Sequence, residues 1–195
     1  GTSSGLFNTI THTLANESDG SVSFDPDGPG GTAASTVTYT GLEPVYDNMD
    51  AVNRVFVFTS TNGETITLSD DGDSGDGESR IDSTESETVT FANPSGSLTI
   101  QTETMGGAGA DAVNVQGLDS TYSANLTITA GTDDSLTFQT NPTNLGAGSL
   151  SGTAGTVSVA SSGSVSTSGN ITLHATNGAA SIAGFVSNTA GTSSF

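Results

Sequence analysis

The sequence predicts an all-β protein, and three observations predict it. Apolar residues recur in an x-φ-x-φ alternation, each copy is bounded by chain-turning residues, and no stretch carries helical periodicity. Residues at i and i+2 share one face of a strand, so every copy offers an apolar face and a hydroxyl-rich one. The copies begin with Thr36-Val-Thr-Tyr39, Val55-Phe-Val-Phe58, Thr65-Ile-Thr-Leu68 and Thr88-Val-Thr-Phe91. Ser97-Leu-Thr-Ile100, Ala112-Val-Asn-Val115, Asn125-Leu-Thr-Ile128 and Ser135-Leu-Thr-Phe138 follow. The alternation persists in Gly155-Thr-Val-Ser-Val159, Gly169-Asn-Ile-Thr-Leu173 and Ala180-Ser-Ile-Ala183. Gly, Asn, Asp or Pro flank the copies, as strand ends require. Helix is excluded because apolar residues never fall at i, i+3, i+4, i+7 over three turns, and Gly, Ser and Thr are poor helix formers. Low hydrophobicity with a net charge of -19 is also a signature of disorder; the recurring alternation decides for an ordered chain.

The arrangement of strands follows from their spacing and side-chain size. From Leu98 the first apolar residue of each copy falls at Val113, Leu126, Leu136, Val157, Val165, Ile171 and Ile182. A constant strand motif at an irregular period suits a parallel β-helix, a solenoid whose coils stack like residues into internal ladders. A β-sandwich suits the strand spacing almost as well. Side-chain size favours the solenoid: the strands after Gly155 carry no Tyr or Trp, whereas a sandwich needs large residues to span about 10 Å between sheets. Phe24, Tyr39, Tyr46, Phe56 and Phe58 mark an irregular or sandwich-like part over residues 1–68, followed by an acidic loop at 69–79 and β-helix-like repeats over 80–195.

Composition excludes several function classes. Asp and Glu number 21 against two basic residues, Arg54 and Arg80. Nucleic-acid binding needs clustered cations, and an anionic membrane surface would repel the chain. No apolar run approaches the roughly 18 residues of a membrane span. Cysteine is absent, so neither disulfides nor a thiolate metal site holds the fold. Residues 135–195 contain no Asp, Glu, Lys or Arg, and the bland polar surface this gives is that of a stacked structural module. The acidic, lysine-free, hydroxyl-rich composition fits an extracellular or cell-surface location. A start at Gly1 without Met is expected of a processed product or a part of a longer polypeptide.

The stretch Ser164-Val-Ser-Thr-Ser-Gly-Asn-Ile-Thr-Leu-His-Ala-Thr-Asn-Gly-Ala-Ala-Ser-Ile-Ala-Gly184 resembles the repeats of filamentous-haemagglutinin-type adhesins, in which a G-N-I-x-L strand and an N-G turn recur along a right-handed parallel β-helix. Thr38-Tyr-Thr-Gly-Leu-Glu-Pro-Val45, Leu68-Ser-Asp-Asp-Gly72 and Phe91-Ala-Asn-Pro-Ser-Gly-Ser-Leu-Thr-Ile100 are similar to a module repeated in very large bacterial surface proteins. The resemblance implies a β-helical segment of an adhesin or filament, with a cell-surface or matrix glycan as the partner an adhesive role calls for.

Two acidic constellations are candidate calcium sites. Gly106-Gly-Ala-Gly-Ala-Asp-Ala-Val-Asn114 fits a β-roll nonapeptide in which Asp111 would ligate calcium; it occurs once, and a glycine turn before a strand is the plainer reading. Asp70, Asp71, Asp73, Asp76 and Glu78 crowd one loop outside the EF-hand register. A hard cation would relieve their repulsion, and a solvated acidic loop is the alternative. Calcium is therefore the one cofactor to consider. No catalytic residues are expected: His12 and His174 stand far apart without a nucleophile and base beside them, although β-helices do host polysaccharide-cleaving carboxylate pairs. Threonine rows such as Thr9, Thr11, Thr13 would suit an ordered surface such as ice if coils aligned them. Finally, Gly1-Thr-Ser-Ser-Gly-Leu-Phe7 nearly matches Gly191-Thr-Ser-Ser-Phe195, which predicts end-to-end self-association with Leu6 and Phe7 of one chain against Phe185 and Phe195 of another.

Overall fold

A computed structural model describes residues 6–42, 44–102, 109–139 and 141–195. The described chain is all β. It opens with an antiparallel meander of β1 (Phe7–Leu14), β2 (Gly20–Asp25) and β3 (Ser35–Tyr39), in which Ile10 lies opposite Phe24 and Gly20 opposite Tyr39. A short β4 (Val45–Asp47) leads into β5 (Ala51–Phe58), which runs parallel to β1 with His12 opposite Phe56. Then β6 (Thr65–Asp70), β7 (Glu78–Ser83) and β8 (Val89–Ala92) form a second antiparallel meander, and β8 pairs in parallel with β4.

From there the chain advances in similar turns. β9 (Ser97–Gln101) and β10 (Ala112–Val115) make one; β11 (Asn125–Thr129), β12 (Ser135–Phe138) and β13 (Pro142–Asn144) the next. β14 (Leu150–Ala154), β15 (Thr156–Val159) and β16 (Ser164–Thr167) follow, then β17 (Ile171–Ala175), β18 (Ser181–Ile182), β19 (Phe185–Asn188) and finally β20 (Ser193–Ser194). Each turn adds one strand to each of up to three sheets, ordered β20-β17-β14-β11-β9-β5-β1-β2-β3, β18-β15-β12-β10-β6-β7-β8-β4 and β13-β16-β19. All pairings between successive turns are parallel.

The register explains why so modest a set of side chains makes a core. Leu98, Leu126, Leu150 and Ile171 lie opposite one another in sequence, as do Val113, Leu136 and Val157, and all are buried. Each turn thus covers the apolar face of the one before, and alternate residues such as Thr127, Thr137 and Ser158 face outward. A column of glycines allows the turns to approach closely: a Cβ at Gly148 would lie 1.9 Å from the Ala124 carbonyl oxygen, one at Gly169 2.6 Å from that of Gly148, and one at Gly191 2.2 Å from that of Gly169.

One hydrophobic cluster runs from Leu14 to Leu173, and a smaller one of Ile10, Val22, Tyr39 and Ala51 lies under the first meander. The sheets pass through the boundaries expected at 69 and 80, since β5 pairs with β9 and β6 with β10. Within residues 1–68, expected to be irregular or sandwich-like, the antiparallel meander β1–β3 is followed by β4 and β5, which pair in parallel with β8 and β1.

Candidate functional site

Four constellations are the places where chemistry or contact is concentrated. The first is buried. His12, Asp47 and Arg54 lie inside the first turns, with His12 and Arg54 fully inaccessible to solvent. His12 Nε2 is 2.9 Å from Asp47 Oδ2, the Arg54 guanidinium donates to Asp47 and to the Met49 carbonyl, and Arg54 Nε donates to the Ala92 carbonyl at 2.7 Å. The His12 ring stacks on Phe56 with centroids 4.9 Å apart. Burial would push the Asp47 carboxyl up, but His12 and Arg54 hold it down at about 2. Burial lowers the His12 pKa against the pull of Asp47. The trio anchors the short β4 to the nine-stranded sheet.

The second constellation is a column of buried acids at the corner before the eight-stranded sheet. Glu64, Asp111 and Asp134 immediately precede β6, β10 and β12. Asp111 Oδ1 accepts the Glu64 N–H at 2.9 Å, Asp134 Oδ1 accepts the Asp111 N–H at 2.7 Å, and Asp134 Oδ2 also accepts the Thr102 hydroxyl at 2.6 Å. Burial, reinforced by Asp134, pushes the Asp111 carboxyl up to about 6 despite its hydrogen bond from Glu64. Burial also raises the Glu64 pKa, over the opposing bonds from Ser83 and Ser86. Asp111 thus caps backbone inside the stack, and residues 106–108 of its nonapeptide lie outside the described residues.

The third is the acidic hairpin between β6 and β7. Asp71, Asp76 and Glu78 place one oxygen each within 4.8 Å of one another. Asp70 instead caps the Gly72 N–H at 2.7 Å, and the Asp73 N–H donates to Asp71 at 3.0 Å. Gly72, Gly75 and Gly77 all take positive φ, which lets the loop fold back on itself. The loop rests on Asp119, which accepts the Gly75 N–H, while the Tyr46 hydroxyl donates to Glu78. Of the residues expected to bind calcium, the fold gathers these three acids and places Asp111 at the separate corner.

The fourth is the outer surface. On the nine-stranded sheet, Thr99, Thr127, Ser151, Thr172 and Ser194 stand in register on neighbouring strands, beside a row of Gln101, Thr129, Thr153 and His174. On the eight-stranded sheet the row is Asn114, Thr137, Ser158 and Ser181, with the Thr137 and Ser158 hydroxyls 3.0 Å apart. Neighbouring rungs are about 4.8 Å apart in such a sheet, so the hydroxyls form a regular uncharged array. His174 points outward, as expected. Among the residues expected to mediate assembly, Leu6, Phe185 and Phe195 are exposed, whereas Phe7 packs on Phe24 with ring centroids 5.4 Å apart.

Sequence reasoning did not single out the buried trio or the acid column. The column does leave a signal, an acid directly before each of three strands. Compared with known proteins, the chain matches no family model, no curated protein and no solved structure.

Proposed function

We propose that the chain is a right-handed parallel β-helix serving as a non-catalytic structural and adhesive module, extracellular or at a cell surface, within a filament or a large adhesin of the filamentous-haemagglutinin-like kind. The observation that carries this reading is the in-register outer array, from Thr99 to Ser194 on one sheet and Asn114 to Ser181 on the other, laid over ladders of buried Leu, Val and Ile. Parallel pairing between successive turns favours the solenoid over a sandwich, whose strands pair antiparallel. An in-register hydroxyl array without charge suits hydrogen bonding to a hydroxyl-rich partner, and a cell-surface or matrix glycan has that chemistry. Beads carrying the chain should be retained under flow on glycan-coated surfaces, and replacing Thr127, Ser151 and Thr172 by Asp should release them. Equal retention of the triple variant would remove the array from the account.

A second reading, a calcium-binding module, is favoured by the convergence of Asp71, Asp76 and Glu78. An ion bound only by the folded state raises its melting temperature by mass action. Melting curves in millimolar calcium and in chelator test this, and coincident curves would return the hairpin to an ordinary solvated loop.

A further inference from the structure

The large, exposed apolar side chains of the described residues are confined to the outer portions of the stack. Val37 lies in the first meander, Leu6 and Leu42 flank it and Tyr46 is in β4, while Ile182, Phe185 and Phe195 belong to the last turn. The strands between contribute none. Such confinement is the pattern expected of contact surfaces rather than of scattered apolar residues.

The same two regions carry the outermost strands. The nine-stranded sheet ends in β3 on one side and β20 on the other, and the eight-stranded sheet in β4 and β18. Their directions match. β3 is antiparallel to β2 and β2 to β1, so β3 runs with β1 and hence with β5, β9 and every later strand to β20. β4 runs with β8, which two antiparallel steps return to the direction of β6 and so of β18. A translated copy of the chain therefore presents β3 and β4 to β20 and β18 in the parallel sense already used throughout the stack. Outer strands leave backbone N–H and C=O groups open to such pairing.

We propose that the last turn takes a second copy of this chain, head to tail, with β3 and β4 of one copy continuing the sheets beyond β20 and β18 of the other. This rests on the reading of the chain as a stacked structural module and specifies its partner. Charge favours the polarity. Residues 135–195 carry none, whereas the first meander and its loops hold Glu17, Asp19, Asp25 and Asp27. Two acidic ends would repel one another, while an acidic end meets no like charge on the neutral one. Val37, Leu42 and Tyr46 then face Ile182, Phe185 and Phe195, with Phe7 left in its packing against Phe24.

The test uses the 195-residue chain and two variants. Val37→Asp blocks the head and Phe185→Asp the tail; both positions are exposed, and circular dichroism verifies that each variant folds, with Val37→Lys and Phe185→Lys as replacements if one does not. Analytical ultracentrifugation from micromolar to millimolar concentration should show the parent chain growing in mass. Each variant alone should remain monomeric, with association weakened at least tenfold, and an equimolar mixture should form dimers and nothing larger, because each variant supplies one intact end. A parent chain that is folded and monomeric throughout overturns the proposal, as does self-association of either variant comparable to the parent's. Distances between spin labels along a single chain test the stack separately, so monomers with stack-like spacings would end the partner proposal and leave the architecture standing.

Discussion

Asp134 accepts the backbone N–H of Asp111 through Oδ1 at 2.7 Å, and so ties the corner of one turn to the corner of the turn before it. Asp111 does the same for Glu64 at 2.9 Å. The contact satisfies N–H groups that the bend takes out of the sheet ladder, where an unpaired buried donor would cost about 1–3 kcal/mol. The Asp111 carboxylate, like that of Glu64, sits in surroundings that disfavour its charge.

The pH dependence follows from Asp111. Its folded pKa, about 6, lies above the ordinary 3.8, so the folded state binds the proton more tightly than the unfolded one. The stabilisation from protonation is complete below the ordinary value and is lost as pH rises through about 6. Acidification from pH 7 to 5 should therefore raise the melting temperature. Asp111→Asn keeps an oxygen acceptor for Glu64 and removes the charge; it should raise the melting temperature at pH 7 by a few degrees, on the order of 1 kcal/mol, and flatten the profile between pH 4 and 7. Calorimetry across that range checks both outcomes.

Asp47 has the opposite sign. Held at about 2, below the ordinary 3.8, it contributes stability that is present above the ordinary value and disappears as pH falls through about 2. Asp47→Asn leaves the buried Arg54 without its counter-charge, which should cost about 3–5 kcal/mol. The midpoint of urea unfolding at pH 7 should fall accordingly, and an unchanged midpoint would mean that the trio does not anchor β4.

How legible the chain was depended on whether a feature alternates. Leu98, Leu126 and Leu136 announce their strands because each stands two residues from another apolar residue with a hydroxyl-bearing one between. β14 is silent because Gly152 occupies its inward slot, where Leu136 and Leu173 fill the space from either side. β13 is silent because its single buried residue is Thr143. The trio was hidden for a related reason: Arg54 stands opposite Leu98 in the ladder, an inward place that only tertiary pairing with Asp47 makes tolerable. In the acidic hairpin the crowding of carboxylates was legible, but which three converge depends on how the glycines turn the loop.

Close approach at the corner gives a sharp mutational outcome. A Cβ added at Gly148 would meet the Ala124 carbonyl oxygen at 1.9 Å. Backbone cannot yield as a side chain can, so Gly148→Ala should destabilise by more than about 2 kcal/mol. Gly30, whose Cβ would meet nothing within 4 Å, takes positive φ at 88°, so Gly30→Asn should cost far less. Thermal melts of the two variants side by side check the contrast.

The ladder itself is tested at Leu126, fully buried between Leu98 and Leu150. Leu126→Ala should cost about 2–5 kcal/mol through lost burial and the cavity left behind. Thr127→Ala, one residue along and facing outward, should change stability by less than about 0.5 kcal/mol.

Spin-label distances measured from one fixed position reveal whether the nine-stranded sheet gains one strand per turn. With the first label at Thr172→Cys, the second is placed in turn at Thr99→Cys, Val55→Cys and Thr11→Cys, positions in register along the same sheet in a chain with no native cysteine. Such a stack gives three narrow distributions whose centres lengthen by about 4.8 Å at each step. Distances that fail to lengthen in that order, or that spread broadly at every pair, would contradict it.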